Sequence, residues 1–216
     1  MGGNIFVNNR DYYGLYGLIL GGLVDVTIFL QSASADVRAV LIKEGGFVES
    51  LSAIGYFVGA ILVILIRRKF IYYTYAAFIL ILFGLRELDF HNRFTTMSVS
   101  KIKFYVSPEV LLLEKVIAIA IVLLLLYILI RLIKTHFNGL INAIKKGEPS
   151  ALGVGGGILL ILITKTLDGL SRKLASVNII VSDNMAKLVE TVEEVFELGI
   201  PLMFIIAAAA RFRTAR

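Results

Sequence analysis

The densest chemistry in this chain is a stripe of glutamates near its C-terminal end. Glu190, Glu193, Glu194 and Glu197 stand at i, i+3, i+4 and i+7. At about 100° per residue, a helix places all four within roughly a 100° arc. Carboxylates crowded on one face repel one another, so the fold must set cations against them. Pro201 follows the stripe, and its ring removes the hydrogen bond to the Glu197 carbonyl four residues back. The sequence therefore predicts a kink where the acidic face ends.

A second group is Arg86-Glu87-Leu88-Asp89-Phe90-His91. In continuous helix Glu87 and His91 share a face at i, i+4, and Asp89 and Arg93 share another. Lys165, Asp168 and Arg172 fall on one face at i, i+3 and i+7, and Glu49 leads a stripe with Ser52 and Tyr56. Asp25 and Glu114 stand at matching depth in two further helices. These positions are expected to converge on one polar pocket near one membrane face.

The residue types define the chemistry to be tested. Glu87 and His91 are the candidate ligands or acid/base pair, and so the candidate catalytic residues. Glu49, Glu87, His91, Asp168, Glu190, Glu194 and Glu197 are the candidate metal ligands. Arg86, Lys165 and Arg172 would neutralise or orient the acids, or hold an anionic headgroup. Oxygen-rich donors suit Mg, Mn, Ca or Fe better than a structural Zn. A divalent ion there could activate water for hydrolysis of a lipid or other membrane-borne substrate. Glutamate with histidine on one face also has the ligand types of carboxylate-bridged di-metal bundles, where the spacing is i, i+3. Two other readings stay open. One is an ion- or proton-conducting transporter, because acids inside membranes often serve as relays. The other is a non-catalytic subunit or scaffold held by buried salt bridges.

The elements that must position these residues are membrane helices. The chain has 216 residues, 58% of them hydrophobic, where a soluble domain has about 45–50%. The excess lies in runs near the roughly 20 residues that span hydrocarbon. We read an all-α integral membrane bundle of about six transmembrane helices, one domain over 1–216. The expected spans are about 12–30, 49–66, 70–90, 108–133, 151–170 and 183–212. Ser107 is the expected N-cap of the fourth, with Pro108 in its first turn. Gly17 with Gly21, and the run Gly153 to Gly157, have the small-residue spacing of close helix packing. They could serve a homo-oligomer or a membrane partner. The first apolar run lacks a cleavage motif and is read as a membrane helix.

The absence of cysteine excludes disulfides and thiolate metal sites, and two histidines exclude a three-histidine centre within one chain. The net charge of +6 fits basic loops facing anionic lipid, with no nucleic acid as partner. Arg67, Arg68, Lys69, Arg131, Lys134, Lys145, Lys146, Arg211 and Arg213 gather on one side of a six-span topology. That side is expected to be cytoplasmic and to hold both termini.

Glu49 with Ser52, the Arg86-to-His91 run and the helix-six acids give a layout that loosely resembles the ceramidase-like superfamily of membrane-embedded hydrolases. That family carries a His-x-x-x-His pair in its final helix, where this chain has glutamates. Over most of its length the chain also resembles bacterial polytopic inner-membrane proteins. That resemblance implies an inner-membrane location and no particular activity.

Overall fold

In the computed structural model, the described residues are 9–42, 45–66, 70–90, 95–99 and 101–214. They contain helices and turns, with no strand among them. The helices are α1 (Asn9–Ser32), α2 (Ala35–Ile42), α3 (Phe47–Leu65), α4 (Phe70–Glu87), α5 (Ile102–Val106), α6 (Leu112–Lys145), α7 (Pro149–Leu167), α8 (Leu170–Ala175) and α9 (Asp183–Thr214). Five stretches are long and apolar enough to cross a membrane: Asn9–Ser32, Asp36–Leu65, Leu112–Lys145, Pro149–Leu167 and Asp183–Arg213. The protein is a multi-pass α-helical membrane protein. The expected third span corresponds to α4, an 18-residue helix outside those five.

α9 is the axis of the bundle and touches α1, α3 and α7. Its directions relative to them follow from the closest approaches. Gly55 meets Pro201 and Gly59 meets Ile205, so α3 runs parallel to α9. Gly153 meets Ala207 and Gly157 meets Phe204, so α7 runs antiparallel to it. Tyr16 packs on Gly153, and Leu23 packs on Gly199, which makes α1 antiparallel to α9 as well. α4 returns along α3, with Gly84 against Phe57 and Leu80 against Gly59. The start of α1 and the end of α9 therefore lie at the same end of the bundle.

Apolar surface gains nothing by leaving lipid for protein, so these helices are held by close van der Waals contact at small residues. The Gly153–Gly157 run does this work against α9, as its spacing predicts. Gly17 and Gly21 differ: a Cβ at either would meet nothing within 4 Å. Their face of α1 is open. Tyr13 and Tyr16 tie α1 to the start of α7, donating to the carbonyls of Gly147 and Pro149 at 2.5 and 2.8 Å. Around the axis Tyr56, Leu80, Leu160, Ile200 and Met203 form the buried core.

Several element boundaries differ from the sequence expectation. The fourth span begins at Leu112 rather than Pro108, because Ser107 ends α5. The Ser107 hydroxyl accepts from the Glu109 amide and its carbonyl accepts from Lys115. α6 then continues for 34 residues. At 1.5 Å per residue it is roughly 50 Å long, well beyond a hydrocarbon core of about 30 Å. His136 stands on this helix. Short helices, α2, α5 and α8, occupy parts of the connections between the long ones. α9 is unbroken through Pro201. The basic run 67–69 lies outside the described residues.

Candidate functional site

Four helices bring charged side chains to the end of the bundle opposite Asn9 and Thr214. α4 supplies Arg86 and Glu87 in its last turn, α7 supplies Lys165, and α9 supplies the glutamate stripe. α3 supplies Glu49 in its first turn, with Ser52 and Tyr56 below it.

The centre is a pair of buried carboxylates, Glu87 and Glu197, with side-chain exposures of 5% and 12%. Arg86 reaches both, at 3.5 Å from Glu87 and 3.6 Å from Glu197. Lys165 lies 3.2 Å from Glu197 and 3.5 Å from Asp168. The result is one chain of ion pairs, Glu87–Arg86–Glu197–Lys165–Asp168, crossing from α4 through α9 to α7. Arg86, Lys165 and Asp168 are about half exposed and form its wet rim. Arg86 and Lys165 can cover apolar helix surface with their long stems while keeping the charged ends near water.

Beneath the rim the site is closed. Tyr56 and Ser52 are 2% and 1% exposed. Tyr56 lies within electrostatic reach of Glu87, Glu197 and Arg86. Ser52 precedes it by one turn on the stripe that begins at Glu49, and its Oγ has no hydrogen-bond partner. Glu49 acts electrostatically on both Glu87 and Glu194, and also accepts from the Gly45 amide. Glu194 is coupled in turn to Glu197, Glu193 and Glu87, and Glu190 reaches Glu193. Pro201 leaves the Glu197 carbonyl without its helical donor, adding a backbone acceptor below the acidic face.

Most of the expected convergence is present: Glu49, Arg86, Glu87, Lys165, Asp168, Glu190, Glu194 and Glu197 share this region. Three expected members, Arg172, Asp25 and Glu114, do not follow the predicted pattern. His91 lies outside the described residues, as does Arg93. α4 ends at Glu87 and Asp89 is left-handed (φ 50°), so the helical face projected from Glu87 toward position 91 stops there. Arg172 leaves the Lys165–Asp168 face because Gly169 turns left-handed at φ 60° and ends α7. No ion pair among the described residues involves it. Asp25 faces outward, since α1 buries Leu23, Thr27 and Leu30 on the opposite side. Glu114 is engaged elsewhere, accepting from the Thr96 amide at 2.9 Å and its hydroxyl at 3.0 Å.

The donors are hard oxygens, the type that divalent cations of low polarisability prefer. Among the described residues, no group of three or more His, Asp or Glu side chains is placed to hold a metal ion. A three-ligand metal centre therefore does not fit these donors as they stand. A hydrated ion held by one or two carboxylates is a different requirement, and Mg²⁺ characteristically binds in that way.

A group the sequence analysis missed lies beside the acidic face. Arg38 on α2 donates from Nη2 to the Thr191 hydroxyl at 3.0 Å and to the Lys187 carbonyl at 3.3 Å. Gln31 of α1 donates to the same carbonyl at 3.3 Å. The only sequence signal was an arginine two residues after Asp36 in a short, mostly apolar helix.

No family model, curated protein or solved structure matches the chain.

Proposed function

We propose that the polar centre is a cation site, in which a hydrated hard cation is held by one or two of the carboxylates Glu87, Glu194 and Glu197, beside Arg86 and Lys165. One observation carries this reading. The centre holds seven carboxylates, Glu49, Glu87, Asp168, Glu190, Glu193, Glu194 and Glu197, and two cationic side chains ion-paired with them, Arg86 and Lys165. Glu193 and Glu194 make no ion pair among the described residues. Surplus negative charge at this depth is costly unless a counter-charge or a bound proton neutralises it, and a hydrated cation is the counter-charge we assign. The unpartnered Ser52 hydroxyl adds a neutral oxygen donor below the acids. In this reading the protein sits in a bacterial inner membrane with both termini cytoplasmic and the site at the external leaflet. Any substrate is a lipid or another membrane-borne molecule that can reach that depth.

The test uses the detergent-purified chain. Its elemental content is measured, along with its melting temperature in Mg²⁺, Mn²⁺ and Ca²⁺. We expect bound ion or ion-dependent stabilisation in the wild type, reduced in Glu87→Gln and Glu194→Gln. Absence of both in the wild type sinks the cation site.

A second reading is favoured by a separate observation: Glu197 of α9 is bridged to α4 by Arg86 and to α7 by Lys165. The pairs themselves could be the purpose, holding three helices in register. In that case Glu197→Gln lowers stability whether or not divalent ions are present.

A further inference from the structure

A recess of about 340 Å³ opens where the end of α1, the start of α2 and the first turns of α9 meet. Gln31, Ala33, Arg38, Asn184 and Lys187 line it. The lining holds two cationic side chains, two amides and no carboxylate. In composition it is the opposite of the acidic centre, although Thr191 beneath it belongs to the same helix as the glutamates.

Arg38 is the informative residue. One terminal nitrogen is engaged by Thr191 and the Lys187 carbonyl. Its Nε is buried and has no acceptor. An unsatisfied buried N–H is costly, and more so when the group is charged. Of the flat guanidinium fork, Nη1 remains free to donate to an anion in the recess. Lys187 makes no ion pair among the described residues, and its ammonium is a second charge at the same opening. Gln31 and Asn184 bring amide donors. Two cations with neutral donors around a small cavity match an anion with three or more oxygens better than a carboxylate with two.

We propose that this recess binds a phosphate group, as a lipid phosphodiester or a free phosphate. The recess lies at helix ends, at the level where lipid headgroups stand, and both sources present the same oxyanion.

The experiment uses the full chain in uncharged maltoside micelles, which contain no phosphate. Thermal unfolding is followed while phosphatidylglycerol or inorganic phosphate is added. Stabilisation by the lipid alone assigns a lipid headgroup. Stabilisation by both assigns a phosphate site open to soluble ligands. Lys187→Gln should weaken the effect about five-fold, the contribution of one basic residue to an anionic surface. Arg38→Lys, which keeps the charge but loses the fork, should also weaken it. Lys187 is exposed, so its variant tests the site even if Arg38 variants fold poorly. No stabilisation by either ligand overturns the proposal. So does an unchanged response in Lys187→Gln, which would mean general attraction to a basic protein.

Discussion

Replacing Gly55 with alanine should push α3 away from α9, and Gly21→Ala provides the matched control. A Cβ at Gly55 would lie 2.9 Å from Cβ of Pro201 and 3.1 Å from its Cγ. Carbon–carbon contacts are comfortable at about 3.5–4.0 Å, so the shortfall is roughly 0.6 Å or more. Neither partner can yield by rotating, because a proline ring is fixed to its own backbone and a helical Cβ has no freedom. The helices must separate, and overpacking of this kind costs about 1–3 kcal/mol. A Cβ at Gly21 meets nothing within 4 Å. Both changes gain the same helix propensity, up to about 1 kcal/mol, so that contribution cancels between them. Gly21→Ala should be neutral or slightly stabilising, and Gly55→Ala should fall below it by about 1–3 kcal/mol. Reversible unfolding of both variants in the same detergent measures the difference. Equal stabilities would refute the claim that Gly55 and Pro201 set the α3–α9 distance. Gly55 is one turn past Ser52 and Pro201 one turn past Glu197, so the separation should also loosen the polar centre. Any cation-dependent stabilisation should then weaken in Gly55→Ala alone.

Two further outcomes follow from the ion-pair chain and the helix ties. Glu197→Gln should destabilise by more than Asp168→Asn, because Glu197 is 12% exposed with two partners and Asp168 is 51% exposed with one. The exposed pair should contribute about 0–1 kcal/mol, and denaturant titration of the two variants ranks them. Tyr16→Phe removes a hydrogen bond to the Pro149 carbonyl and should cost about 1 kcal/mol, with the melting temperature as the check.

The sequence carried the helices and much of the centre because both are written in the same periodicity. Arg86, Glu87, Lys165 and the α9 glutamates follow helical faces near helix ends, and parallel or antiparallel packing brings such faces to one depth. What it could not carry depends on single backbone conformations and on tertiary distance. Arg172 drops out because Gly169 adopts a left-handed turn, which the i+7 spacing cannot reveal. Asp25 drops out because the buried side of α1 is the one that sets Leu23 on Gly199 of α9, and an apolar helix gives little indication of that choice. Arg38 went unnoticed because its partner, Thr191, is 153 residues away and lies on a helix singled out for its acids. The glycines make the same point. Gly17–Gly21 and Gly153–Gly157 look alike as spacing, yet only the second pair meets another helix.

The central place of α9 has a consequence for biogenesis. α1, α3, α4 and α7 all precede it in synthesis, and α1 meets α7 only through Tyr13 and Tyr16 near the helix ends while its main packing is against α9. The bundle's axis is thus delivered after the helices that surround it. Until then Arg86 and Lys165 stand on nascent helices without Glu197, the carboxylate that later joins them. Assembly therefore requires the earlier helices to be held near the point of insertion rather than released one by one into lipid. The arrival of α9 sets Glu197 between Arg86 and Lys165 and closes the core, so a chain interrupted before Asp183 would keep the local pairs Arg86–Glu87 and Lys165–Asp168 but lack the carboxylate that ties α4 to α7.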